Sequence, residues 1–247
     1  TIDLSGNQFS GSLDSVVQSL TNAVDLDLSN NDLSGSISST YFAGMTPLTS
    51  LNLGANDFTG ATPWNSLNSL TSLVHLDLSD NYFTTMDDGI TALTNLVSLD
   101  LSGNNLAGTL PDSELGSLPR LVTLDISDNS LSSDIATVSG LADSLSLEIL
   151  DMNDYLNTGV TAPKGLATCA WIQTLMGRGT LRTLRIGGVR LSGQIPNSFM
   201  SSMTSLYEID LHDNSLTGWI PSSGTFVTGL ANMGRFYINN NDLDGDG

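Results

Sequence analysis

Leu73-Val74-His75-Leu76-Asp77-Leu78-Ser79-Asp80-Asn81-Tyr82-Phe83 returns, with its apolar and asparagine positions kept, as Leu96 to Leu106, Leu121 to Leu131 and Leu206 to Leu216. Looser copies run from Ala23 to Leu33, Leu48 to Phe58 and Met233 to Leu243. The asparagines fall at 7, 31, 56, 81, 104 and 129, with spacings of 24, 25, 25, 23 and 25 residues. A fixed period of this size marks a chain of stacked supersecondary units. Within one copy Leu76 and Leu78 alternate with His75, Asp77 and Ser79, the period-two signature of a strand with one apolar face. One unit holds too few apolar residues to bury that face alone, so strands stacked about 4.8 Å apart must share a continuous core. The asparagine follows the strand, where its amide can donate to and accept from backbone groups that stacking would otherwise bury unpaired. Asn81, Asn104, Asn129 and the other ladder asparagines are therefore expected to be structural.

The units resemble those of the leucine-rich repeat family, LxxLxLxxNxL, over essentially the whole chain. The continuations Gly108-Thr109-Leu110-Pro111, Gly193-Gln194-Ile195-Pro196 and Gly218-Trp219-Ile220-Pro221 narrow the resemblance to the plant-type subclass, whose repeats carry G-x-[IL]-P. That resemblance implies an α/β solenoid, a horseshoe or twisted arc. A parallel β-sheet would line the concave face, with loops, short strands and 3-10 turns on the convex face. Residues 1–247 would form a single domain of about ten units, the first and last incomplete. The family's role implies non-catalytic recognition of a protein, peptide or glycan through concave and lateral surfaces, in an extracellular or cell-surface setting. The paired cysteines of receptor-ectodomain caps are not seen, and none of the 21 asparagines stands in an N-x-[ST] acceptor. Thr1-Ile2-Asp3-Leu4 opens inside a strand pattern, and Tyr237 to Asn241 closes one strand later. The expectation is either an excerpt of a longer protein or a structural building block that stacks on copies of itself into filaments or a surface layer.

Composition narrows the partners. The 26 acidic residues against 7 basic ones give a formal charge of -19, which excludes nucleic acid. No apolar run approaches the roughly 20 residues of a membrane span, so none is expected in this segment. Cys169 stands alone and rules out an internal disulfide or a zinc site built on paired cysteines. No cofactor is expected. A minor candidate for calcium is Asp242-Leu243-Asp244-Gly245-Asp246-Gly247, which matches the first half of a DxDxDG loop but fits the repeat frame equally well.

The outward positions can be gathered by column. The central one reads Asp3, Asp27, Asn52, Asp77, Asp100, Asp125, Asp151, Arg185, Asp210 and Tyr237. Asp77, Asp100, Asp125, Asp151, Arg185, Asp210, His212 and Tyr237 are the candidate binding residues of this face, with a cation or a basic partner as the matching ligand. Charges about 5 Å apart on neighbouring strands repel by roughly 0.8 kcal/mol even in water, which predicts raised carboxyl pKa values along Asp77, Asp100, Asp125 and Asp151. Parallel register is expected to set Arg185 beside Asp210 and Arg235 beside Glu208 as cross-strand pairs. Glu208, Asp210 and His212 alternate along one strand roughly 7 Å apart and do not converge on a metal. His75, Asp77 and Ser79 have the residue types of a hydrolase triad, but at i, i+2 and i+4 of an extended strand they cannot touch in series, and no catalytic residue is assigned.

The frame breaks once. Ladder positions after Asn129 fall at Tyr155 and Val189, 34 residues apart, before Asn214 and Asn241 resume it. Between 164 and 190 lie Lys164, Arg178, Arg182, Arg185 and Arg190, five of the seven basic residues, together with Cys169 and Trp171. This irregular basic insertion at 155–190 is a second candidate binding surface, carried by Lys164, Trp171, Arg178, Arg182 and Arg190. The blander reading is a loop packed over the lateral or convex side, with Cys169 as a buried small hydrophobe.

Overall fold

The computed structural model describes residues 1–13, 17–155, 164–197, 199, 204–220 and 232–244. Ten short parallel strands stack in chain order into one sheet, from Ile2–Asp3 through His75–Asp77 and Thr123–Asp125 to Glu208–Asp210 and Arg235–Tyr237. Register follows the repeat without slippage: Leu51 lies opposite Leu76, Leu76 opposite Leu99, and Leu124 opposite Leu150. These leucines are essentially inaccessible. Burying each contributes about 1.5–3 kcal/mol, and the polar partner at every second position keeps the other face outward. Phe58 and Phe83 fill the layer behind them, with ring centroids 6.4 Å apart and planes 16° from parallel.

Each main strand ends in a tight turn that exposes backbone groups, and two features resolve it. The residue before the ladder position takes a left-handed φ near 50–65° in all ten units, as at Asp80, Gly103 and Asp128. Glycine, aspartate and asparagine occupy nine of these positions because they tolerate that conformation best, with Ala55 the exception. The ladder amide then ties three turns together. Asn104 Nδ2 donates to the carbonyls of Leu78 (3.0 Å), Leu101 (3.1 Å) and Ser102 (3.1 Å), while its Oδ1 accepts from Phe83 N at 3.0 Å. The same pattern holds at Asn31, Asn56, Asn81, Asn129, Asn214 and Asn241, so the ladder is structural.

Beyond the turn, short strands form a second layer in two parallel sheets. One has six strands, from Ser10–Gly11 to Ser130–Leu131, and the other four, from Lys164–Gly165 to Asp242–Leu243. Among the described residues no strand bridges them. The interruption coincides with the unit whose ladder position is Tyr155. That side chain is fully buried; its hydroxyl reaches Ser133 O at 3.3 Å, and its own carbonyl takes the Leu131 N–H at 2.9 Å, replacing the amide acceptor of a regular unit. Val189 is also fully buried.

The insertion is more regular than a packing loop. Ala170–Gly177 is an eight-residue α-helix that buries Trp171, Ile172, Leu175 and Met176 against the 3-10 segment Ser139–Asp143 of the preceding unit. Residues 156–163 of the insertion, and Gly245, Asp246 and Gly247 of the calcium-loop match, lie outside the described residues. Asp242–Leu243 pairs with Thr217–Gly218 as a repeat strand.

Candidate functional site on the concave face

The outward face of the ten-stranded sheet changes character along its length. In the first part every central aspartate acts as a turn former. Oδ1 of Asp77, Asp100 and Asp125 accepts both the backbone N–H, at 2.9–3.0 Å, and the hydroxyl, at 2.6 Å, of the serine two residues on. Asn52 makes the equivalent bond, accepting from Gly54 N at 3.0 Å. Among the described residues Oδ2 of Asp77, Asp100 and Asp125 has no hydrogen-bond partner, so these strands present a row of outward carboxylate oxygens. Ser79 touches Asp77 within this motif, closer than a reading of isolated side chains on an extended strand allows, because the chain turns there; His75 takes no part.

Burial, not mutual repulsion, leads the electrostatics of the row. Asp125 is pushed up to about 6 first by desolvation, with the Ser127 hydrogen bonds opposing and the charges of Asp151 and Asp100 adding less. Asp100 is raised by the same sequence of causes, led by burial. The expectation that neighbour repulsion dominates is corrected accordingly: a partly covered floor removes water from the carboxylates before their neighbours act.

From Asp151 onward the face is a charge network. Arg185 stands in register with Asp151 on one side and Asp210 on the other. Its NH1 donates to Asp151 Oδ2 at 2.9 Å and its Nε to Glu208 Oε1 at 2.7 Å. The predicted Arg185–Asp210 pair is thus replaced by a diagonal one, since the long arginine reaches across to the next strand's first outward position. Glu208 also accepts from Arg235 NH1 at 3.2 Å, as its register predicts. Glu208 is only 5% exposed. Burial pushes its carboxyl up, but the hydrogen bonds and charges of Arg185 and Arg235 outweigh this and hold it below the ordinary value. The Arg185 guanidinium is raised, chiefly by its hydrogen bond to Glu208.

Asp210 is engaged elsewhere. Its Oδ1 faces His212 Nδ1 at 2.7 Å, its Oδ2 accepts from Asn153 Nδ2 at 3.3 Å, and Asp213 lies 3.6 Å from His212 Nε2. Burial opposes charge on the imidazole, yet Asp210, then Asp213 and Asp154, raise its pKa. The ring lies over Gly187, where any side chain would overlap it, and Asp154 packs against Gly188 in the same way. Tyr237 is 43% exposed at the end of the column. The charged residues of this network pair with one another and, among the described residues, gather no metal-binding cluster.

The candidate residues of the basic insertion lie on different elements. Trp171 is a core residue, 4% exposed, whose indole N–H donates to Ile135 O at 2.7 Å. Its assignment as a binding residue is withdrawn, because burial leaves it nothing to offer a ligand. The apolar spacing 171, 172, 175 and 176 carries the helical signal that identifies it. Arg178 caps that helix, Arg182 is exposed beside the main sheet and donates to Ser205 O at 3.3 Å, and Arg190 sits at a left-handed turn with φ 62°. Lys164 belongs to a strand paired with Leu191. Cys169 is buried, and desolvation pushes its thiol up to about 11, the environment of a packing rather than a nucleophilic cysteine. Glu208 and Asn153, central to the network, were not among the predicted binding residues; the opposite charge of Arg235 across the register was the available signal for the first.

Family models described as Leucine Rich repeats (2 copies) match residues 71–115 and 94–142, and one described as Leucine Rich Repeat matches 205–225. No curated protein matches the chain. Among solved structures it is similar to a TDR receptor, with 28% identity, a TM-score of 0.83 and 98% of this chain covered. The Arabidopsis receptor kinase HAESA, in complex with the peptide hormone IDA and the co-receptor SERK1, shares 28% identity with a TM-score of 0.71 over 98% of this chain. A leucine-rich repeat protein of Leptospira interrogans shares 26% identity with a TM-score of 0.72 over 98% of this chain. The chain spans 39%, 38% and 55% of the lengths of those three. In the described residues no helix is long and apolar enough to cross a membrane.

Proposed function

Given that this chain is a leucine-rich repeat protein of the plant-type subclass, we propose that it is a non-catalytic, extracellular or cell-surface recognition module whose concave face takes an extended basic polypeptide segment. One observation carries this reading. The outward oxygens of Asp77, Asp100 and Asp125 have no hydrogen-bond partner among the described residues, and the row ends at the internally paired Asp151, Arg185 and Glu208. Cationic side chains laid across the strands would find carboxylates already oriented by their serines, with little ordering left to do on binding. At the paired end the carboxylates of Asp151 and Glu208 are already engaged by Arg185 and Arg235, which sets where such a segment stops. Similarity to a receptor bound to a peptide hormone supports a peptide ligand and a cell-surface setting.

Calorimetric titration with a lysine-rich peptide of about twelve residues, and with its glutamate counterpart, tests the proposal. Binding of the first alone, weakening with salt, is the expected result. Asp77→Asn, Asp100→Asn and Asp125→Asn combined should weaken it by about tenfold or more, since long-range charge attraction is lost. The fold should survive, because Asn52 already makes the same turn bond. Equal binding of both peptides, or no effect of the triple substitution, would overturn it.

A further inference from the structure

A second site lies away from the concave face, at the tails of the seventh to ninth units. Ala167, Gln194, Ile195, Pro196, Asn197 and Trp219 line a cleft of about 610 Å3, within the range of small-ligand sites. Gln194 and Trp219 hold the same position in consecutive G-x-I-P tails, which brings an amide and an indole together across adjacent units. Trp219 is 53% exposed, while Trp64 and Trp171 are 1% and 4% exposed. Gln194 lies over Gly218, so closely that a Cβ there would stand 2.7 Å from its Cγ; the absent side chain leaves the room that Gln194 occupies. Among the described residues the side chains of Gln194, Asn197 and Trp219 make no hydrogen bond. In a chain of net charge -19 none of the six lining residues is charged.

We propose that this cleft binds a neutral saccharide chain, with a sugar ring stacked on Trp219 and its hydroxyls bonded by Gln194 and Asn197. A pyranose has an apolar face of C–H groups that matches an exposed aromatic plane beside Ile195 and Pro196. Its vicinal hydroxyls both donate and accept, as does a free carboxamide. A charged polypeptide would gain nothing from a neutral lining, and the basic segment assigned to the concave face has its carboxylates elsewhere. The two sites are separate in position and chemistry.

Cellohexaose, mannohexaose and xylohexaose are to be titrated into the intact chain while tryptophan emission is followed. Because the other two indoles are buried, a ligand-dependent change reports on Trp219. Saturable binding of at least one hexaose, insensitive to added salt, is the expected result. Trp219→Ala should weaken it about tenfold, the loss of a stacking contact of about 1.4 kcal/mol, Trp219→Phe should retain most of it, and Gln194→Ala should weaken it measurably. Failure of all three sugars to saturate by about 20 mM, weaker than ordinary millimolar recognition, would overturn the proposal. So would unchanged binding in Trp219→Ala. A response of Trp219 to the lysine-rich peptide instead would assign the cleft to a protein partner and equally overturn it; loss of peptide binding on the concave face would leave it standing.

Discussion

Arg185 lies directly opposite Asp210 in the strand register, yet it gives its guanidinium to Asp151 and to Glu208, and Asp210 turns to His212. Glu208 becomes the centre of the face, held between Arg185 and Arg235 with almost no exposure. Two carboxylates and two arginines thus share three ion pairs over four strands, and each removal strands a different group.

Arg185→Met should destabilise the chain by about 2 kcal/mol at pH 7. That is less than the 3–5 kcal/mol of a fully buried pair, because a third of the Arg185 side chain meets water. Arg185→Lys should recover part of the loss, its point charge reaching only one carboxylate well. Arg185→Met with Glu208→Gln should be more stable than Arg185→Met alone. Urea midpoints measure all three, and equal midpoints for the single and double variants would refute the network.

Stability should rise as pH falls from about 8 to 5 and drop below about 4. Asp125 titrates near 6 when folded, above its ordinary 3.8, so its ionisation costs stability at neutral pH and that cost is relieved as pH falls through 6. His212 is raised, so its contribution is fully present below its ordinary 6.5 and is lost as pH rises through the folded value. Glu208 is lowered, so its contribution is present above its ordinary 4.5 and is lost as pH falls through the folded value. Thermal melts across this range check the shape, and Asp125→Asn should flatten the rise between pH 7 and 5.

Gly187→Ala should expel the His212 ring from its seat and return its pKa toward the ordinary value. The chain has two histidines, so proton NMR titration of the imidazole signals follows His212 with the exposed His75 as internal control. A shift confined to His212 is the expected outcome; an unmoved His212 would show that the ring does not depend on that contact.

Asn104→Ala should cost about 3 kcal/mol, because it leaves Phe83 N–H and the carbonyls of Leu78 and Leu101 buried without the amide that serves them all. Tyr155→Phe, at the same repeat position, loses one hydroxyl bond to Ser133 and should cost only about 1 kcal/mol. Chemical denaturation of the two variants side by side would expose a ladder that contributes equally at both positions.

Much of this architecture was legible in the amino-acid order alone. The recurrence of leucines two apart and asparagines about 25 apart determined the parallel stack, its register and the structural role of Asn81, Asn104 and Asn129, because those requirements are local and repeat in every unit. The position of the irregularity at Tyr155 and Val189 was visible for the same reason. Side-chain pairing was not, since it depends on reach as well as register. Arg185 is long enough to skip Asp210 and take Glu208, and Asp125 is raised mainly by the cover its neighbours place over it. Trp171 and Trp219 show the same division. Both are tryptophans near the break in the frame, yet one closes the core through Ile135 and the other faces solvent. Only the folding of Ala170–Gly177 onto the preceding unit decides between them, because burial is a property of the packed neighbours and not of the residue.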